Sequence, residues 1–194
     1  VPATVVCISR LAGAHGSEIG QAVAARLGFA CVDEEIVARA AAMESLQAAD
    51  VADVERRRSF LERLREDLPH LGVSPPPAEH HRELIREAIH ETADAGNVVI
   101  VSHAASIALA GRPGILRVLV TASPETRELR LAEGLLDEET EGAVREADAA
   151  RADYLERFYG VEHELPTHYD LVLNTDALSV EQAAAAIVVL AERV

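Results

Sequence analysis

Gly13 and Gly16, separated by Ala14 and His15, are the first residues of this chain whose types and spacing point to chemistry. The apolar run Val5-Val6-Cys7-Ile8 precedes them, and Ile19, Val23, Ala24 and Leu27 follow at helical spacing, with Gly28 as a stop. A strand, a glycine turn and a helix N-terminus in that order make an anion cradle, because backbone N–H groups converge there and the helix end carries partial positive charge. Against the phosphate-binding pattern Gly-x-x-Gly-x-Gly-Lys-Ser/Thr, Gly13 and Gly16 fall in place. Glu18, Ile19 and Gly20 then stand where glycine, lysine and the hydroxyl residue are expected. All 18 basic residues are arginine, so no lysine from elsewhere can fill that place. A phosphate clamp here must be made of backbone and of arginine, whose planar fork binds phosphate oxygens bidentately.

The candidates are therefore the backbone of Gly13, Ala14, His15, Gly16 and Ser17, with Arg10 just before the loop as the cation. Arg10 has two open readings: a contact to phosphate in place of lysine, or an ion pair with Asp33 or Glu18. His15 either donates to a phosphate or is a solvated loop residue. Ser17 either offers its hydroxyl to a phosphate or a metal or caps the helix, and Glu18 complements the helix dipole.

Several elements must position these residues. Phe29-Ala30-Cys31-Val32 reads as a short buried strand ending at Asp33, where Asp33-Glu34-Glu35 opens a second helical pattern. Residues 51–68 read as a charged helix, and Pro69–Pro77 is the clearest loop. A helix then brings Leu84, Ile85, Ala88 and Ile89 inward, and the strands Val98–Val101 and Ile115–Val120 follow. Ser123-Pro124-Glu125 is an N-cap, a proline at the first helical position and an acid in the first turn. Residues 137–159 read as helical, Leu171–Leu173 as a last strand, and Ser179 with Gln182 as a capping box on the C-terminal helix. Short apolar strands alternating with amphipathic helices imply a parallel sheet covered on both faces. Ligands sit outside the carboxyl ends of such strands. That rule gathers Ser9, Arg10, Asp33, Ser102, His103, Thr121 and Asn174 along one edge beside the glycine loop. His103 there is either a base or a hydrogen-bonded strand-end histidine.

The length of 194 residues suits one domain, and a core with only 3% aromatic residues must be built from Ala, Val, Leu and Ile. A formal net charge of −15 argues against general affinity for nucleic acid or an anionic membrane. No run of 18 apolar residues and no basic-then-apolar leader is present, so the expectation is a soluble, cytoplasmic chain. Cys7 and Cys31 read as buried thiols, and the eight histidines show no metal-ligand spacing.

Ile8-Ser9-Arg10, Gly13-x-x-Gly16-x-Glu18-Ile19-Gly20, and Phe29-x-x-Val32-Asp33-x-Glu35-Ile36 resemble the opening of the cytidylate kinase-like family of P-loop proteins. The resemblance continues through Gly96–Val101, Asp148–Tyr154 and Tyr169–Thr175. It implies a three-layer α/β/α P-loop kinase-like fold with a five-stranded parallel sheet in a single domain, residues 1–194. The core would be 1–32, 96–136 and 161–194, with a helical NMP-binding insertion at about 33–95 and a helical lid at about 137–160. It implies ATP as phosphate donor, Mg2+ carried in with the nucleotide, and nucleotides as partners, and it leaves a homo-oligomer open. Arg151 on the lid and Arg127 on the helix after the fourth strand become phosphate contacts, with Arg130 beside them. Asp148 and Arg151 read equally as an intrahelical ion pair. Asp33 becomes the acid that meets the acceptor. His103 stands where the family's usual Val-Gly-Arg-Gly-Ala turn has a phosphate- or base-facing arginine. The missing loop lysine is shared with the family, whereas Leu11, Ser17 and the Val101–Ala105 turn depart from its usual form, and no acid closes the Val98–Val101 strand to hold the metal. Two functions follow: an ATP-dependent nucleoside monophosphate kinase, cytidylate-like, with a degenerate loop, or an inactive nucleotide- or anion-binding module of kinase ancestry.

Overall fold

The computed structural model describes residues 2–33, 78–132 and 142–193. The expected helix at 51–68, the loop at 69–77 and the helical pattern opening after Asp33 lie outside the described residues. So do most of the 33–95 insertion, the first part of the 137–160 segment, and the side chains of Leu84 and Ile85.

Five strands form one parallel sheet in the order β2-β3-β1-β4-β5. They are β1 (Val5–Arg10), β2 (Ala30–Val32), β3 (Val98–Val101), β4 (Ile115–Thr121) and β5 (Leu171–Asn174). The described helices are α1 (Gly16–Leu27), α2 (Ala78–Ala95), α3 (Ala105–Ala108), α4 (Pro124–Ala132), α5 (Ala143–Tyr159) and α6 (Val180–Ala191). Successive strand residues point to opposite faces, and the sequence fills both with aliphatic side chains. Val6, Ile8, Val99, Val101 and Val118 pack on one face against Ile19 and Val23 of α1 and Ala184 and Ile187 of α6. Val5, Cys7, Val98 and Ile100 pack on the other against Ala88 and Ile89 of α2 and Ala105 of α3. Cys7 sits inside this second layer, where burial pushes its thiol up to about 12, so it is an inert core residue.

The expected layered α/β architecture is therefore borne out, with differences at the ends of elements. The second strand starts at Ala30, not Phe29. Gly28 closes α1 in the left-handed region (φ 68), and both its N–H and that of Phe29 donate to Ala24 O. The Phe29 N–H therefore closes the helix and does not join the ladder. β4 runs one residue further, pairing Thr121 with Asn174. The short α3 has no counterpart in the periodicity; Ser102 Oγ accepts from the Ala105 N–H at 3.0 Å and turns the chain into it. The Ser179–Gln182 capping box is present in both directions, and Ser123 Oγ accepts from the Thr126 N–H at the start of α4.

Gly20 allows α1 to lie directly on the sheet. A Cβ there would fall 2.4 Å from Val101 Cγ2, which the strand holds fixed. Gly20→Ala is therefore expected to destabilise the fold by about 1–3 kcal/mol, the usual range for overpacking. Urea unfolding monitored by circular dichroism checks this, and an unchanged midpoint would contradict the close approach.

Candidate functional site

β1 ends at Arg10 and α1 begins at Gly16, and the five residues between them wrap one side of a cleft of about 280 Å³. Arg10, Gly13, His15, Gly16, Ser17 and Arg130 line it. Gly13 takes φ 77, and a Cβ there would sit 2.7 Å from the Arg127 backbone oxygen, so only glycine lets the loop lie against α4. His15 precedes the helix with φ 61, a region histidine tolerates better than most residues bearing a Cβ. Among the described residues no hydrogen bond takes the N–H groups of His15, Gly16 or Ser17. The first turn of α1 therefore presents unused donors to the cleft.

The residue at the position that glycine spacing gives to lysine does not face the cleft. Ile19, placed at the lysine position by glycine spacing, is fully buried and packs in the core between α1 and the sheet. That burial contributes roughly 1.5–3 kcal/mol, and a side chain there points away from the cleft. The residue that opens the helix is Gly16, and the space a side chain would take on it is already filled. A Cβ on Gly16 would lie 2.3 Å from Arg10 Cβ and 2.7 Å from its Cδ. Arg10 thus crosses the start of the helix. Its Nε is buried and meets no acceptor among the described residues, while NH2 stands 3.7 Å from Asp33 Oδ1.

Ser17 is not the helix cap. His15 holds that place, and Ser17 Oγ donates to Asp33 Oδ2 at 3.0 Å. Asp33 accordingly holds the end of β2 to both Arg10 and the start of α1. His15 Nδ1 lies 3.2 Å from Glu18 Oε1 across the first turn. Burial acts to raise the Glu18 carboxyl, but its own backbone N–H and the His15 ring outweigh that and hold it below its ordinary value. Ala14 is fully buried behind the loop.

Arg127, Arg151 and His103 do not line this cleft. Arg127 is 2% exposed and forks onto Asp148 of α5, with NH2 2.8 Å from Oδ1 and NH1 3.2 Å from Oδ2. Arg151 is 5% exposed; its Nε donates to Glu164 Oε2 at 2.8 Å and its NH2 to Glu164 Oε1. The intrahelical Asp148–Arg151 pair is therefore replaced by two pairs that leave the helix. Arg151 NH1 also donates to His103 Nδ1 at 3.0 Å. That contact fixes the neutral tautomer with its proton on Nε2. Burial, then the Arg151 and Arg10 charges, push His103 down to about 3. It is thus a hydrogen-bond acceptor inside the fold and no base at neutral pH. Tyr169 OH donates to Glu164. Burial and that hydrogen bond push the phenol up to about 12, so it stays protonated.

Three residues, Thr175, Glu164 and Tyr169, escaped the sequence reading of the site, while Arg130, expected beside Arg127, does reach the loop. Arg130 lies one turn beyond Arg127 on α4; its NH1 donates to Gly13 O at 3.2 Å, and its NH2 to Thr175 O at 2.7 Å. Thr175, just past β5, is fully buried and its hydroxyl reaches Ala14 O. Its clues were its place at a strand end and in the Tyr169–Thr175 run, which also holds Tyr169. Glu164 carries no pattern at all. Among the described residues no group of three His, Cys, Asp or Glu side chains is placed to hold a metal, and no helix is long and apolar enough to cross a membrane.

A family model described as the cytidylate kinase-like family matches residues 5–177. No curated protein matches the sequence significantly. Among solved structures, an uncharacterized protein from Eubacterium ventriosum superposes with a TM-score of 0.66 at 14% identity, over 96% of this chain and 97% of that one. Shikimate kinase from Bacteroides thetaiotaomicron gives 0.57 at 18% identity, over 96% and 97%. A sugar kinase from Janibacter sp. HTCC2649 gives 0.53 at 14% identity, over 97% and 94%. At these identities the likeness is one of fold.

Proposed function

The chain belongs to the cytidylate kinase-like family, and on that premise we propose that it binds the phosphates of ATP at the Gly13–Ser17 loop and transfers one to a nucleoside monophosphate, CMP by resemblance. One observation carries this reading: the loop and the arginine before it hold donors that no described residue accepts from. They are the N–H groups of His15, Gly16 and Ser17 and the buried Nε of Arg10. Unpaired amides at a helix start favour an anion, and a buried guanidinium donor without a partner is costly.

In this reading the pattern Gly-Lys-Ser/Thr falls on His15, Gly16 and Ser17. His15 adopts the glycine-like backbone, Ser17 supplies the hydroxyl, and Arg10 supplies the missing cation from the strand end. The loop is then a degenerate phosphate-binding loop with its charge moved and not lost. Ser17 and Asp33 are oxygen donors 3.0 Å apart, a donor set that fits Mg2+. Such an ion would neutralise phosphate charge. Asp33 orients the acceptor, and Arg10 holds the transferring phosphoryl group, an electrostatic task. The expected acceptor contact through His103 is weakened by its engagement with Arg151.

A second reading, nucleotide binding without transfer, is favoured by one specific observation. Arg127 and Arg151 are each closed on a carboxylate, so neither is free to stabilise transition-state charge unless α5 moves. A coupled assay of ATP with CMP, dCMP, UMP and AMP, with and without magnesium, tests transfer against Gly13→Val as the loop control. Turnover with one acceptor that the control abolishes is expected. Calorimetric ATP binding without turnover would leave the second reading, and no binding would sink both.

A further inference from the structure

We infer that Thr175 is a positioning residue for the anion loop: its hydroxyl holds the Ala14 carbonyl inward so that the following N–H groups face the cleft. The inference rests on the phosphate-binding reading of that cleft and adds a residue outside it.

Thr175 follows β5, with its N–H donating to Thr121 O at 2.8 Å, and it is 1% exposed. A buried hydroxyl must find partners, and this one finds three. It accepts from Arg130 NH1 at 3.0 Å, and its single proton lies within reach of Ala14 O at 3.2 Å and Thr121 O at 3.1 Å. Arg130 NH1 in turn donates to Gly13 O. The Ala14 carbonyl is therefore held at the buried Thr175 hydroxyl, and the Gly13 carbonyl at Arg130.

A trans peptide is planar, so its C=O and the next residue's N–H point in opposite directions; the described chain contains no cis peptide. Holding Ala14 O against Thr175 thus turns the His15 N–H the other way, towards the cleft that His15 lines. The His15 conformation at φ 61 then brings the Gly16 and Ser17 N–H groups round to the same side, giving the concave run of amides that binds anions. Among the described residues the Ala14–His15 peptide has no other hydrogen-bond partner, so without the Thr175 hydroxyl its plane is not fixed, and a flip would present a carbonyl oxygen to phosphate. Arg130 alone does not replace it, because Arg130 holds Gly13 O and not Ala14 O.

The test compares wild type with Thr175→Val, which keeps the shape and loses the hydroxyl, and with the pair Thr175→Ser and Thr175→Ala, which differ only in that hydroxyl. Calorimetric titration of the full chain with MgATP and with inorganic pyrophosphate is the readout, alongside amide hydrogen exchange at His15 without ligand. Thr175→Val and Thr175→Ala are expected to weaken both ligands by about tenfold or more and to speed His15 exchange, with Thr175→Ser within about twofold of wild type. If Thr175→Val does not fold, the serine and alanine pair decides. Wild-type affinity in Thr175→Val, or equal losses in Thr175→Ser and Thr175→Ala, would overturn the positioning role while leaving the phosphate-binding reading intact. No binding of either probe by wild type would overturn both.

Discussion

Glu164→Ala is expected to lower the stability of the fold by about 3 kcal/mol, the lower end of the range for removing one partner of a buried ion pair. Glu164 is 19% exposed and Arg151 only 5%. The deletion leaves a buried guanidinium with His103 Nδ1 and Tyr169 OH as its neutral partners. For a chain of this size that loss corresponds to a melting temperature about 6–12 °C lower. Burial acts to raise the Glu164 carboxyl, but the Arg151 hydrogen bonds and charge outweigh it and hold it below its ordinary 4.5. A depressed folded-state value means stability that is fully present above pH 4.5 and is lost as the pH falls through the folded value. The variant should therefore show a flatter loss of stability with acid than wild type, besides its lower plateau. Replacing both partners, Arg151→Met with Glu164→Leu, should recover most of the loss, because no charge is then left buried. Equal melting temperatures for wild type and Glu164→Ala would show that the pair contributes nothing.

The same pair shows where sequence reading reached its limit. The strands were legible because Val5–Ile8 and Val98–Val101 are buried on both faces, and a strand buried on both faces reads as an unbroken apolar run. The helix limits were legible where chemistry marks them, as at Gly28 and at the Ser179–Gln182 box. Strand-end geometry places Arg10, Asp33 and the loop side by side from the sequence alone. What failed was pairing and register. Nothing local in the chain says that Arg151 closes on Glu164, 13 residues on, in place of Asp148 three residues back. Nothing says that Arg127 points into the fold. Glycine spacing alone set the expected lysine position at Ile19, because it does not show where the helix begins. The core decides that, by taking Ile19 as a packing residue and leaving Gly16 at the helix start.

That register carries the second large effect, an exchange of the cation between strand and helix. Arg10→Ala removes the arginine that crosses the start of the helix, and with it a charged hydrogen-bond donor worth about 1.5–3 kcal/mol. ATP affinity should fall by about 10- to 100-fold. Gly16→Lys restores a lysine at the helix start but cannot be accommodated alone, since its Cβ would lie 2.3 Å from Arg10 Cβ. The loop must shift, and affinity should fall at least as far. Combining Gly16→Lys with Arg10→Ala does not solve this, because alanine keeps the clashing Cβ. Arg10→Gly with Gly16→Lys does solve it. Glycine at the strand end costs about 0.5–1 kcal/mol of stability, yet it frees the volume the lysine stem needs. The two sites are in contact, so their effects should be strongly non-additive. We expect the double variant to bind ATP within about tenfold of wild type, with both single changes well below it. A double variant as weak as Arg10→Ala would mean that Arg10 does not stand in for the lysine. The charge needed for phosphate would then have to come from Arg130, whose hydrogen bonds among the described residues all go to uncharged oxygens of Gly13 and Thr175.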